Sequence, residues 1–269
     1  MNNILVAAIG MGGLGLFWAV ILVIVNKKFH VEENPLIESV VACLPGANCG
    51  ACGFAGCGAF GEAVVEEGVD PMGCPVNKEE AVEEIAKILG KELGQKGVKQ
   101  VAKLHCTGSK ENVSTIAEYS GHKSCIAEHV TNGGTKACQY GCLGHGDCVN
   151  VCGFGAMKML ENGLPFIDEE KCVSCGKCVE VCPRGLIKMV PIDQPVYILC
   201  SSKDAGVVTK KACKVGCIGC TICAKKVDEN TFKIADFLAT VDYEASKKMT
   251  PEQIEEAVQK CPQKIITKK

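Results

Sequence analysis

Arginine is almost missing from this 269-residue sequence: of its 29 basic residues, only Arg184 is not lysine. Phosphate recognition leans on the forked guanidinium, so this balance speaks against it. A formal charge of −2 leaves no basic footprint for nucleic acid, and no nucleic-acid partner is expected. Aromatic residues make up only 5% of the chain, and no second long apolar run follows the first. What the sequence has in excess is cysteine, with 21 residues. An odd count leaves one thiol over under full pairing, and repeated cysteines two residues apart are poorly placed for many disulfides. A reducing compartment with metal or cluster ligation fits this usage better than a secreted disulfide scaffold.

The first apolar run, Ile4 to Val25, is 22 residues without a charge. A helix of about 20 residues crosses a hydrocarbon core. A signal peptide would want a basic stretch before the run and a small-residue cleavage site after it. Here Met1, Asn2 and Asn3 precede it, while Asn26, Lys27 and Lys28 follow. The reading is therefore an uncleaved, single-pass anchor in the cell membrane, with the two lysines holding the rest of the chain in the cytoplasm. Gly10, Gly12 and Gly15 have the spacing of a dinucleotide fingerprint, but neither the strand nor the water-facing helix start it requires is there. Ala8 with Gly12, and Gly15 with Ala19, instead match the small-residue spacing of packed membrane helices.

The expected fold class is α+β: one N-terminal transmembrane helix, then small cytosolic iron–sulfur domains that include a two-cluster ferredoxin-like domain. The expected divisions are an anchor (1–28), a linker (29–36), a cysteine domain with a following helix (37–98), an insertion with two isolated cysteines (99–135), a ferredoxin-like domain (136–190) and a C-terminal iron–sulfur region (191–269). Asn77 with Glu80 reads as a capping box starting a helix that Gly94 and Gly97 end. Asn162-Gly163 reads as a hairpin turn, and Val196–Cys200 as a strand. Thr250, Pro251 and Gln253 read as the start of a last helix that stops before Cys261-Pro262.

The run Cys172, Cys175, Cys178, Cys182-Pro183 has the spacing of bacterial ferredoxins, in which the fourth cysteine ligates the other of two cubane clusters. Its partner is the widened run Cys138, Cys142, Cys148, Cys152. The crossover rule then assigns Cys138, Cys142, Cys148 and Cys182 to one [4Fe–4S] cluster, and Cys152, Cys172, Cys175 and Cys178 to another. A second group, Cys49, Cys52, Cys57 and Cys74-Pro75, lies among glycines and contains no histidine, which favours a cubane over zinc. In a third group, Cys217, Cys220 and Cys223 are joined by the distant Cys261-Pro262. Val227 stands where a crossing cysteine would be, so one cluster is expected there, with zinc as the competing reading.

These sites use sixteen cysteines and leave Cys43, Cys106, Cys125, Cys200 and Cys213. Cys43 lies in an apolar stretch and reads as a small hydrophobe. The other four come as two pairs flanking the ferredoxin-like segment, whose ends meet in space, and are read as ligands of a fifth cluster. Ordinary buried thiols, or zinc recruiting His105 or His122, are the rival readings. The expected cofactors are thus three to five [4Fe–4S] clusters, with no catalytic residue and no flavin or nucleotide site on this chain.

The anchor, the cysteine domain and the ferredoxin-like domain, in that order, resemble the family of Rnf-complex B subunits. LPGANCGACGFAGC and YGCLGHGDCVNVCGFGA carry the resemblance, and the region after residue 191 matches the extended clostridial form. The resemblance implies a component of an ion-translocating ferredoxin:NAD+ oxidoreductase that accepts electrons from soluble ferredoxin, with flavins, the NAD site and the ion path on other subunits. The alternatives are a relay component of another ferredoxin-linked membrane oxidoreductase, or a zinc-bearing scaffold. Lys203 to Glu229 contains six lysines against three acids, whereas Glu62 to Leu93 contains nine acids against three lysines. An acidic ferredoxin would be steered to the former, unless those lysines are simply a solvated surface.

Overall fold

A computed structural model of the protein describes residues 2–28, 34–91 and 97–269. Helix α1 (Asn2–Lys28) has no acid in its first turn and two lysines in its last, where they complement the helix dipole. Within it, Ile9–Lys28 has a mean hydropathy of 2.1 and buries nothing against the rest of the chain. Among the described residues it is the one helix long and apolar enough to cross a membrane. Gly12, Gly15 and Ala19 lie on its open surface, whereas the side chain of Ala8 and linker residues 29–33 fall outside the described residues.

Helix α2 (Pro35–Cys43) starts where Asn34 Oδ1 accepts the Leu36 N–H at 3.0 Å, with Pro35 at the first helical position. It packs on α3 (Cys57–Glu66) through Gly61, where a Cβ would meet Val41 Cγ2 at 2.5 Å. Helix α4 (Glu79–Leu89) packs on α2, turning Val82, Ile85 and Ala86 inward. Its start differs from the capping box expected at Asn77. Lys78 is the N-cap without a side-chain bond, and Asn77 Oδ1 takes the Lys78 N–H instead. The helix also stops earlier than Gly97, at Gly90 in the left-handed conformation, while Gly94 is outside the described residues.

Beyond residue 97 the strands pair in four short antiparallel ladders. Strand β1 (Gln100–Leu104) precedes α5 (Cys125–Val130) and α6 (Asp147–Asn150). The Asn162-Gly163 turn joins β2 (Met157–Met159) to β3 (Pro165–Ile167), as its sequence suggests. Then come α7 (Lys177–Glu180), β4 (Ile187–Pro191), β5 (Val196–Ile198), α8 (Gly206–Ala212) and α9 (Ile222–Lys226). Hairpin β6 (Phe232–Ala235)–β7 (Leu238–Val241), α10 (Tyr243–Ser246), α11 (Pro251–Lys260) and β8 (Ile266–Lys268) complete the chain. The Thr250 capping box forms in full, and α11 ends just before Cys261.

Two non-local ladders position the cysteines. Strand β1 runs antiparallel to β4 with Leu104 opposite Ile187, so residues 100–104 of the segment between the cysteine runs complete a sheet with residues 187–191. The core around them contains Val101, Ile187, Val190 and Tyr197 together with Cys148, Cys172 and Cys178. Strand β8 returns to β5, with Ile198 opposite Ile266, which carries Cys261 back beside the loop of Cys217 to Cys223.

Candidate iron–sulfur centres

Site I consists of Cys49, Cys52, Cys57 and Cys74. Cys57 opens α3, and its N–H donates to Asn48 Oδ1 at 2.8 Å. A Cβ at Gly56 would lie 2.8 Å from that oxygen, which is why the position needs glycine. Cys52 and Cys57 pack with Cys74 in one apolar core. Burial raises the Cys74 thiol; N–H groups of Val76 and Asn77 work against this, and Cys52 and Cys49 add to it.

Site II gathers Cys152, Cys172, Cys175 and Cys178. Burial pushes the Cys178 thiol up to about 11, followed by the charges of Cys172, Cys175 and Cys152. The Ala102 N–H, on β1, donates to Cys172 Sγ at 3.5 Å. Cys175 is raised first by burial and then, against the Lys177 N–H, by Cys49 of site I as well as by Cys152 and Cys172.

Site III is a pocket lined by Cys125, Cys142, Cys148 and Cys182, with Leu104, Leu186 and Ile187 among its walls. Burial raises Cys148 to about 12, with further contributions from Cys142, Cys125 and Cys182. The Leu186 N–H donates to Cys182 Sγ at 3.3 Å.

Site IV is a pocket lined by Cys106, Cys138, Cys200 and Cys213. Burial raises Cys138 to about 11, opposed by the Tyr140 N–H and reinforced by Cys106, Cys213 and Cys200. A Cβ at Gly108 would stand 3.5 Å from Cys106 Sγ and 3.7 Å from Cys213 Sγ. Site V is lined by Cys217, Cys220, Cys223 and Cys261. Burial takes Cys223 to about 11, with Cys217 and Cys220 adding to the shift against the Ala224 N–H.

The arrangement differs from the expected one by a single exchange: Cys125 stands with Cys142, Cys148 and Cys182, and Cys138 stands with Cys106, Cys200 and Cys213. The reason is backbone and side-chain pairing between distant segments. Residues 113–115 run between two partners, with bridges Val113 to Cys213 and Thr115 to Lys136. The Ser114 N–H donates to the Ala212 carbonyl at 2.9 Å, and the Ala137 N–H to the Ser114 carbonyl at 2.8 Å. That sandwich sets Cys138 beside Cys213. Cys125 is drawn the other way, because Ser124 Oγ and the Ile126 N–H donate to Asp147 Oδ2 at 2.8 and 3.3 Å, next to Cys148.

One residue that sequence reasoning passed over locks this arrangement. Arg184, the sole arginine, donates from one guanidinium nitrogen to the carbonyls of Cys138 (3.1 Å) and Gly141, and from another to that of Gly133. Glu128 lies behind the same loop, buried. Its Oε1 accepts the Thr135 N–H and hydroxyl at 2.8 and 2.7 Å, and its Oε2 sits 2.5 Å from His145 Nε2. The signal was available in the isolation of Arg184 two residues after Cys182.

The remaining candidates fall outside the five groups. Cys43 donates to the Ser39 carbonyl within α2 at 3.3 Å. His105 is buried, its Nδ1 donating to the Ile198 carbonyl at 3.0 Å, and burial lowers its pKa to about 4. His122 is exposed on a loop. A zinc site draws its sulfurs to about 2.3 Å from one point. Among the described residues no three or more His, Cys, Asp or Glu side chains form a group fitted to a single ion.

The donor chemistry instead fits a larger inorganic core. Burial first, and the charge of neighbouring thiolates second, disfavour bare thiolates in these sites, whereas a cationic iron–sulfur core neutralises them and leaves the inward N–H groups bonded to its ligand sulfurs. Thiols collected in this way are what an iron–sulfur electron-transfer protein requires, and fold and sites define that class. Two family models agree: "Putative Fe-S cluster" matches residues 44–76 and "4Fe-4S binding domain" matches residues 165–188. The chain is 41% identical to the B subunit of the ion-translocating oxidoreductase complex of Methanosarcina acetivorans, over 99% of each chain. It is 42% identical to the B subunit of the proton-translocating ferredoxin:NAD(+) oxidoreductase complex of Clostridium ljungdahlii, over 90% of this chain and 85% of that one. A Na(+)-translocating counterpart from Acetobacterium woodii is 39% identical over 99% of this chain and 78% of its own. The chain belongs to this family, the B subunits of ion-translocating oxidoreductase (Rnf) complexes, and serves such a complex as its iron–sulfur electron-transfer component.

Proposed function

We propose that the chain carries five [4Fe–4S] clusters, one at each of sites I to V, and relays electrons from reduced ferredoxin toward NAD+ within a ferredoxin:NAD+ oxidoreductase. The clusters supply one-electron redox chemistry; the protein supplies thiolate ligands, apolar walls and N–H groups that favour the reduced state. The observation that carries the reading is the succession of the sites. Cys74 of site I and Cys172 of site II line one cavity, and Cys172 and Cys178 of site II share a core with Cys148 of site III. The Cys142 N–H of site III donates to Cys106 Sγ of site IV at 3.4 Å, and the Cys217 N–H of site V to Cys200 Sγ of site IV at 3.3 Å. Each site therefore adjoins the next, in the order I, II, III, IV, V. Anaerobically purified protein should contain about twenty iron and about twenty sulfide per chain, with a brown absorbance that dithionite bleaches. Content near about twelve would leave only three clusters.

In this reading α1 is a single membrane span and everything after Lys28 is cytoplasmic, the side where glutathione keeps such thiols reduced. Removing residues 1–28 should yield a soluble product that keeps its iron, since no cysteine lies in α1. A reporter fused after Lys269 should be active only in the cytoplasm. Retention of the truncated protein on membranes would overturn the single span.

A further inference from the structure

Of the 21 cysteines only Cys220, in site V, is exposed. The loop that carries it is gripped from two sides. A Cβ at Gly206 would lie 2.7 Å from the Ile218 carbonyl, and one at Gly219 would lie 2.8 Å from the Phe237 carbonyl, so the start of α8 and the β6–β7 turn both rest on this loop. Each of these supports ends in an exposed apolar side chain: Val207 is 71% exposed and Phe237 55%. Phe237 stands at φ +58, after Asp236 at φ +48, a backbone region that bulky residues avoid. An aromatic residue more than half exposed in that conformation leaves most of its apolar surface uncovered by the protein's own core.

The surroundings are cationic. Lys210 and Lys211 lie one turn beyond Val207 on α8, and Lys225 and Lys226 end the helix that follows Cys220; all four are exposed. Lys203 reaches Asp236 of the β6–β7 turn at 3.5 Å. Of the acids in the neighbouring loop, Asp228 accepts from Thr231 Oγ1 and the backbone of Asn230 and Thr231, and Asp204, Asp228 and Glu229 together leave the six lysines of residues 203–229 in excess. Site I lies in the oppositely charged part of the chain, with nine acids against three lysines over residues 62–93.

We infer that Phe237 and Val207, flanked by Lys203, Lys210 and Lys211, are the docking surface of a small acidic electron-carrier protein, which they seat over Cys220. An apolar centre within a charged rim is the composition of a transient protein interface, with the rim steering and the aromatic anchoring. The inference rests on the proposal that soluble ferredoxin is the electron donor, and it places the entry point at site V, the end of the relay farthest in sequence from α1.

The test uses the iron-loaded full chain in detergent and oxidised acidic ferredoxin, with the dissociation constant measured by calorimetry at low and high salt. Phe237→Glu should weaken binding at least about tenfold at either salt, as loss of a central anchor does. Lys210→Glu with Lys211→Glu should weaken it mainly at low salt and flatten the salt dependence. Phe166→Glu, an exposed aromatic on β3 remote from site V in sequence, should change nothing. Unchanged iron content certifies the fold of each variant. If wild-type protein binds ferredoxin and Phe237→Glu binds it equally well, this surface is wrong while ferredoxin remains the donor. If wild-type protein neither binds ferredoxin nor is reduced by it, the donor reading fails and takes this surface with it. Loss of other subunits from the purified complex in Phe237→Glu, with ferredoxin affinity intact, would assign the surface to contacts within the complex and overturn the inference.

Discussion

Protein with Cys106→Ser and Cys200→Ser together is expected to lose about four iron atoms per chain, the content of one cubane, and to stop passing electrons between its two ends. Both thiols line site IV, and both accept N–H bonds from the neighbouring sites, Cys106 from Cys142 and Cys200 from Cys217. Dithionite, which reaches every site independently, should still bleach the remaining clusters. Ferredoxin should then reduce only what lies on its own side of the gap, seen by rapid-freeze EPR as a shortened set of signals. Single variants separate the two possible groupings. Cys138→Ser should disturb the same EPR signal as the double variant, and Cys125→Ser the signal disturbed by Cys142→Ser. If Cys138→Ser and Cys142→Ser share one signal, Cys138 belongs to site III after all. Unchanged iron in a folded double variant would remove the cluster from site IV.

Replacing Arg184 is expected to have the largest effect of any non-cysteine substitution. Its guanidinium holds the carbonyls of Gly133, Cys138 and Gly141, which carry the loop that divides its cysteines between sites III and IV. Arg184→Met leaves these acceptors without their charged donor and should cost about 3 kcal/mol, read as an earlier urea midpoint for loss of the visible absorbance. It also removes a positive charge beside both sites, so their reduction potentials should move to more negative values in an EPR-monitored titration. Arg184→Lys separates the two roles: an ammonium keeps the charge but cannot reproduce the planar fork. Potentials near wild type with lowered stability are therefore expected for Arg184→Lys. Equal stability of wild type and Arg184→Met would show that the loop is held by other contacts, Glu128 with Thr135 and His145 being the alternative lock.

How much of this was legible in the sequence follows the range of the interaction that encodes it. Ligand runs such as Cys172, Cys175 and Cys178 are local, because a few residues of tight turn are enough to face their thiols inward. The Thr250 capping box and the Asn162-Gly163 hairpin are local for the same reason, and they form as read. Even a local reading fails when two short-range bonds compete, as at Asn77, whose side chain satisfies the next N–H instead of closing a box with Glu80.

The long apolar run of α1, the split of acidic and basic segments, and the presence of enough cysteine for five four-thiol groups were all determined by the sequence alone. The partition of those cysteines was decided only by tertiary structure. Cys125 and Cys138 are thirteen residues apart and each could serve either cavity by spacing. Segment 113–115, pairing with both 136–137 and 212–213, takes Cys138 one way, while Asp147 takes Ser124 and Cys125 the other. Strand β8 returning to β5 likewise brings Cys261 to a triad 38 residues earlier. Pairings of this kind depend on which strands find each other across the whole chain, and no periodicity or spacing within one segment records that choice.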